Sequence, residues 1–238
     1  MRLNKIIAIE GQIELLTGLH IGGGSDAMHI GGVDNPVIKH PHTQEPYIPG
    51  SSVKGKVRSL LEWYYGLVEY THGSPFGFKQ IDKVSADQKD AAFNLVKLFG
   101  ASGGDISKND AQKIGPTRIT VRDAMPTSAW LEDIKEKSLL LTEAKSENTI
   151  NRISGTADNP RQSERVPSGA SFDFSLQIKV LEGDDEQALV NMVLTGLKLL
   201  EQDALGGSGS RGYGRVQFKL KDELAHQFAA IHPFANRA

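Results

Sequence analysis

The chain has 238 residues, 39% of them apolar and 24% charged, with a formal net charge of −2 and no cysteine. That balance suits a soluble globular protein with room for one large domain or two small ones. It excludes disulfides, thiolate zinc sites and cysteine nucleophiles, and fits a reducing, cytoplasmic home. No run of about 18 apolar residues is present to span a membrane. The N-terminal "MRLNKIIAIEGQIELL" lacks the pattern of a secretory signal.

"IIAIEGQIELL" (6–16) is β-branched and partly alternating, which predicts a first strand. The glycine-rich stretch from Gly18 to Gly50 that follows is too long for a simple connector, and such loops are usually functional or disordered. "SSVKGKVRSLLEWYYG" (51–66) predicts a helix with Ser51 or Ser52 as N-cap. Its apolar stripe is Val53, Val57, Leu60, Leu61 and Tyr64. A second helix is predicted over 85–100, with Ser85 and Gln88 as a capping box and Gly100 as the stop. "TRITVRDA" (117–124) reads as a strand, and 143–169 as an extended excursion or hairpin rich in arginine. "SFDFSLQIKVLE" (171–182) alternates, with Phe172, Phe174, Leu176, Ile178 and Val180 on one face. A helix over 184–205 starts acidic, as the macrodipole favours, and "GRVQFKLK" (214–221) reads as a last strand. This order fits an α+β chain built on a ferredoxin-like split βαβ unit. No linker divides it, so one domain over 1–238 is expected, with insertions at about 19–50, 66–115 and 143–169.

The modest net charge hides segregation. Lys54, Lys56 and Arg58 lie in a stretch, Pro46 to Leu61, without an acid. Arg211, Arg215, Lys219 and Lys221 lie in another, Leu205 to Lys221, while "LEGDDEQ" (181–187) collects acids. Screening confines each charge to about 8–10 Å, so these local excesses outweigh the sum.

"LGGSGSRGYGRVQF" (205–218) contains G-x-G-x-x-G at Gly207, Gly209 and Gly212. A dinucleotide site needs that motif between a strand and a helix, and here it follows a helix and precedes a strand. A helix C-cap with a flexible turn explains Gly206 and Gly207 but not the interleaved Ser208, Ser210, Arg211, Tyr213 and Arg215. A loop that tracks a polyphosphate chain, with Tyr213 available for stacking, accounts for more of these residues. "PGSSVKGKVR" adds hydroxyls and N–H groups at a helix start beside Lys54, Lys56 and Arg58, with Gly55 allowing close backbone approach. Read alone, it is equally an ordinary solvated basic face.

Five segments in order carry a family resemblance: "LHIGGG", "VDNPVIKHP", "YIPGSSVKGKVRSLLE", "ENTINRISGTADNPRQSERVPSGASFDF" and "LGGSGSRGYGRVQF". Together they resemble the RAMP-superfamily, RRM-like backbone subunit of type III-A CRISPR effector (Csm) complexes. Residues 66–115 are the least diagnostic. The resemblance implies a subunit that polymerises with further copies of itself along a guide RNA, alongside other subunits of the complex. Each copy would cut guide-paired target RNA once, in a reaction needing a divalent metal ion, Mg or Mn, with no zinc and no membrane partner. The guide's phosphates would be gripped by Ser51, Ser52, Lys54, Lys56 and Arg58 and by Ser208, Gly209, Ser210, Arg211, Gly212, Tyr213 and Arg215. Residues 147–169 resemble the family's thumb hairpin, which implies RNA contacts for Arg152, Arg161 and Arg165.

Asp34 matches the family's cleavage position, and His20 one linked to RNA binding. Without the resemblance, Asp34 before Asn-Pro reads as a turn residue, and His20 as a packed histidine. The loop from Leu19 to Gly50 offers only Asp26, Asp34 and Glu45 as carboxylates, too few for a two-metal nuclease; metal binding or general-base assistance by Asp34 fits better. His29, His40 and His42 are not expected to form a metal cluster. The alternatives to a target-cleaving enzyme are a non-catalytic RNA coat and a repeat-cleaving guide-processing nuclease of the same superfamily.

Overall fold

The computed structural model describes residues 1–23, 34–101, 107, 110, 112 and 114–235. The main sheet has four strands: β1 (Leu3–Leu15), β2 (Ile119–Val121), β5 (Ser171–Leu181) and β6 (Val216–Leu220). They lie in the order β2-β5-β1-β6, every neighbouring pair antiparallel. Helices α1 (Gly50–Tyr64) and α4 (Glu186–Gln202) connect β1 to β2 and β5 to β6. That connectivity and strand order are the ferredoxin-like unit. Helix α2 (Lys89–Phe99) is inserted before β2. Helix α3 (Ser128–Glu136) and the hairpin β3 (Glu143–Ile150) with β4 (Ala157–Arg165) are inserted before β5. Helix α5 (Asp222–Ala229) follows β6.

The core follows the predicted faces. Phe172, Phe174, Leu176, Ile178 and Val180 of β5 are all buried, beside Ile9, Ile13 and Leu15 of β1. Helix α4 is covered nearly all round, because it packs on α1, α2, α5 and two strands. Its start is capped by Asp185, whose Oδ1 accepts the Ala188 N–H at 3.0 Å. At the turn after β5, Asp184 accepts from Arg118 Nε (2.9 Å) and Nη2 (3.1 Å) and from the Leu181 N–H (3.0 Å), with Lys97 Nζ 3.0 Å away.

Several boundaries depart from the sequence pattern. Helix α1 begins at Gly50 with Pro49 as N-cap, so neither Ser51 nor Ser52 caps it. Instead Asp123 Oδ1 accepts the Gly50 N–H at 2.7 Å, placing a carboxylate at that positive end. Helix α2 starts at Lys89, because Ser85 and Gln88 close a separate turn through the Ser85 hydroxyl and N–H and Gln88 Oε1. Strand β2 shrinks to three residues: single bonds to β5 continue at Arg118 O and the Arg122 N–H, but the Arg118 N–H donates to Lys97 O and Ala124 bridges Ile48. Two further helices, α3 and α5, are short; α3 buries Trp130 and Ile134, at i, i+4 spacing, and α5 buries Phe228. No helix among the described residues is long and apolar enough to cross a membrane.

Candidate nucleic-acid interface

The segment leaving β1 organises the site. On one side it meets the glycine-rich loop: the Leu16 N–H donates to Arg215 O (2.8 Å), the Gly214 N–H to Gly18 O (2.9 Å) and the Gly207 N–H to His20 O (2.8 Å). On the other it meets β4 and the strap after Asp34, through the Leu19–Val166 pair and the Ile38 N–H on Ile21 O (2.8 Å). Two glycines are fixed by this weave. Gly206 and Gly214 have φ of +76° and +72°, and a Cβ on them would lie 2.3 Å from His20 O and 2.0 Å from Leu205 O. They shape the loop against the fold. The middle of the loop is different: Ser208 to Arg211 turns outward, and the N–H groups of Ser208, Gly209 and Ser210 find no acceptor among the described residues. Ser210, Arg211, Gly212 and Arg215 are exposed, and the Arg215 guanidinium has no partner among the described residues.

The two basic stretches that are far apart in sequence are brought together. Lys56 Nζ pairs with Asp203 Oδ2 at 2.6 Å, fastening the early turns of α1 beside the glycine-rich loop. Ser51 is exposed, Ser52 half-buried, and the Lys54 ammonium is unpaired among the described residues. Burial, and secondarily the neighbouring Arg58, pushes the Lys54 pKa below its ordinary value. Gly55 is exposed, with nothing within 4 Å of where its Cβ would stand. Arg58 is engaged inside the fold, with Nε on Glu62 Oε1 (2.8 Å) and Nη2 on Phe76 O (2.5 Å). It anchors the insertion after α1.

Tyr213 corrects the expectation of a stacking platform. It is 1% exposed. Its hydroxyl donates to Glu147 Oε1 at 3.1 Å, and Lys145 Nζ and the Arg165 guanidinium lie 4.5 and 5.0 Å from its ring centroid. Arg165 also donates to Glu143 Oε1 at 2.7 Å, so it braces the hairpin root. Arg152 at the hairpin tip is exposed, with a single 3.4 Å contact, to Ile150 O, among the described residues. Around Glu147 stand Lys145 Nζ at 3.6 Å, Arg211 Nε at 3.4 Å and Arg161 Nε at 3.9 Å. Desolvation pushes the Glu147 carboxyl up, but the Tyr213 hydrogen bond and these cations outweigh it and hold its pKa below the usual range.

Asp34 is exposed and lies against β4, its Oδ2 accepting the Gln162 N–H at 2.9 Å. Asn35 continues the attachment, its N–H donating to Gln162 O and its carbonyl accepting from Glu164. The buried Glu164 side chain accepts from the Val37 N–H (2.9 Å), Lys39 Nζ (2.5 Å) and Thr142 Oγ1 (2.6 Å). Desolvation raises its pKa, but these donors win and hold the carboxyl low. His20 is half-buried, with Nδ1 2.7 Å from Glu164 O. The Asp34 strap, His20 and the hairpin therefore meet on one short stretch of β4. No local pattern in the sequence distinguishes Glu164, Glu147 or Lys145 from the other charges of a polar hairpin. Asp26 and His29 lie outside the described residues. His40 and His42 pack edge to face at 5.6 Å, and the described residues hold no group of three or more metal-ligating side chains.

A ferredoxin-like core with a basic loop, a basic helix start and a projecting hairpin defines an RRM-like scaffold. A family model described as the RAMP superfamily matches residues 12–217. Among curated relatives, a protein of Methanothermobacter thermautotrophicus named "CRISPR system Cms endoribonuclease Csm3" is 44% identical over 232 residues, covering 92% of this chain and 86% of the relative. Its namesake in Enterococcus italicus is 41% identical over 214 residues, covering 90% of each chain. Among solved structures, a chain of the Csm3–Csm4 subcomplex of a type III-A CRISPR–Cas interference complex aligns with a TM-score of 0.56 at 26% identity, over 98% of this chain and 99% of that one. The chain belongs to the RAMP superfamily and, within it, to the Csm3 family.

Proposed function

We propose that this chain is the guide-RNA-binding backbone subunit of a type III-A CRISPR interference complex, an endoribonuclease that cuts complementary target RNA at regular intervals. It acts in the cytoplasm as one domain, with further copies of itself and other Csm subunits as neighbours. Membership of a family whose relatives are named endoribonucleases supports the reaction class. The observation that carries the site is the attachment of exposed Asp34 to strand β4 of the hairpin through the Gln162 N–H.

Grip and chemistry are divided between elements. Unpaired Lys54 and Arg215, with Ser51, Ser210 and exposed Arg211, face a sugar–phosphate chain without reading its bases, which suits interchangeable guides. Arg152 at the hairpin tip extends the basic surface. In the cleavage step the 2′-oxygen of the target attacks the adjacent phosphorus and the bond to the 5′-oxygen breaks, so alignment supplies much of the rate. Asp34 has one oxygen oriented by Gln162 and is placed to take the 2′-proton or to hold a cation. A lone carboxylate fits Mg²⁺ or Mn²⁺, which complete their shells with water and substrate phosphates. Such an ion, when bound, neutralises charge developing on the phosphate.

The test is a time course of end-labelled target RNA with assembled wild-type and Asp34→Ala complexes. Guide loading and target binding stay near wild type, while cleavage drops by orders of magnitude at every position, and a chelator reproduces the loss. Cutting at regular positions with a comparable rate would reduce Asp34 to a turn residue and make His20 the next candidate. A wild-type complex that binds target and leaves it intact in Mg²⁺ or Mn²⁺ would point to the non-catalytic coat.

A further inference from the structure

We infer that Lys145, Arg161 and Arg211, gathered around Glu147, form a single clamp for an RNA phosphodiester that joins the glycine-rich loop to the hairpin. The inference rests on the RNA-binding reading and adds to it Lys145 and the union of two elements otherwise assigned separate tasks. The three cations approach one carboxylate at 3.4–3.9 Å, beyond hydrogen-bond length for Arg161 and Lys145, and Glu147 Oε2 is buried without a hydrogen bond. Glu147 is 12% exposed, whereas Lys145, Arg161 and Arg211 are 36%, 50% and 46% exposed. The carboxylate therefore sits beneath the cations, offsetting their mutual repulsion; Arg211 Nη2 donates to the Ser208 hydroxyl, and the remaining N–H groups of the three cations stay available above it. Three cations against one anion leave a local excess of positive charge. Tyr213 forms the floor, donating to Glu147 and carrying the Lys145 ammonium over its ring.

The ligand is a polyanion rather than a lone phosphate. The same loop carries exposed Arg215, unpaired among the described residues, so positive charge continues along the loop beyond the clamp. Arg211 belongs to the loop and Arg161 with Lys145 to the hairpin, so a phosphodiester held here ties the hairpin to the guide-binding surface.

The experiment measures binding of the full chain to labelled single-stranded RNA across a salt series. Lys145→Ala weakens binding about tenfold and makes the slope of log affinity against log salt shallower by about 0.7. Lys145→Arg keeps both values. Lys5→Ala, which removes a charge paired with Glu186 at the opposite end of β1 from Leu15, about 33 Å along the strand, changes neither. RNAs carrying one neutral methylphosphonate linkage locate the contact: a linkage should exist whose neutralisation matches Lys145→Ala and adds nothing in that variant. Repeating the scan on the second strand of a duplex says whether guide or target supplies it. Inorganic phosphate at millimolar concentration does not relieve the difference. If Lys145→Ala lowers the thermal midpoint but leaves affinity and slope intact, the cluster is only a brace. If the wild-type chain fails to bind RNA at all, the RNA reading falls and not this inference alone.

Discussion

Two carboxylates in this molecule are ringed by cations, and they do opposite work. Asp184 lies at the turn after β5 with its carboxylate enclosed by buried Arg118 and half-buried Lys97, and its oxygens are met by hydrogen bonds of 2.9–3.1 Å. Glu147 lies between the hairpin and the glycine-rich loop, its cations half in solvent and one oxygen without a hydrogen bond. A saturated buried network has nothing left for a ligand and holds segments of the fold in register. An unsaturated one at a surface keeps its donors available. Charge number is similar in both; solvent access and hydrogen-bond completion separate structure from recognition.

The sharpest way to break this contrast is substitution at the enclosed hub. Asp184→Asn leaves buried Arg118 and half-buried Lys97 without their counter-charge, and the expected loss is about 3 kcal/mol, read by denaturant unfolding. The same hub sets an acid limit. The Asp184 carboxyl is held down to about 2 from 3.8: burial opposes ionisation, but the Arg118, Lys97 and Leu181 donors prevail. Because the folded pKa lies below the unfolded one, this contribution is fully present above pH 3.8 and is lost as pH falls through about 2. In the asparagine variant that part of the acid unfolding curve flattens.

Next in size is Gly196→Ala, where α4 crosses α1. A Cβ there would lie 2.5 Å from Val57 Cγ1 and 3.0 Å from Leu61 Cδ1, so overpacking costs about 1–3 kcal/mol. RNA affinity per folded molecule stays unchanged. A smaller effect of opposite sign is expected at Gly55. Alanine there meets no neighbour and gains about 0.5–1 kcal/mol of helix propensity, yet weakens RNA binding where a phosphate chain runs close to the backbone. Gain in stability without loss of RNA affinity would show that Gly55 faces only water. The smallest change in stability belongs to the surface hub: Glu147→Gln keeps an acceptor for Tyr213 and shifts unfolding by less than about 1 kcal/mol. RNA binding tightens because the anion among the cations is gone. A loss of several kcal/mol there would erase the distinction between the two hubs.

Much of the frame was legible in the residues. The alternation of Phe172, Phe174, Leu176, Ile178 and Val180, the stripe of Val53, Val57 and Leu61, and the apolar run of α4 all point at the core they occupy. The two basic stretches were equally plain. Less legible were the ends of elements, where partners from elsewhere intervene, as Asp123 does at the start of α1. The site was legible as a set of charges and not as a set of roles. Arg58 and Arg165 read like phosphate ligands but brace the insertion and the hairpin root, and Tyr213 reads like a stacking surface but is enclosed.

Periodicity is a local property: backbone geometry turns residue spacing into a buried face, so order of elements, core faces and charge segregation follow from the chain itself. Charge pairing is not local. Asp34 meets Gln162, His20 meets Glu164 and Tyr213 meets Glu147 only after the β1 extension, the hairpin and the glycine-rich loop have docked. Whether an arginine is a strut or a free donor depends on which carboxylate arrives beside it and how much water remains, and those quantities exist only in the folded chain.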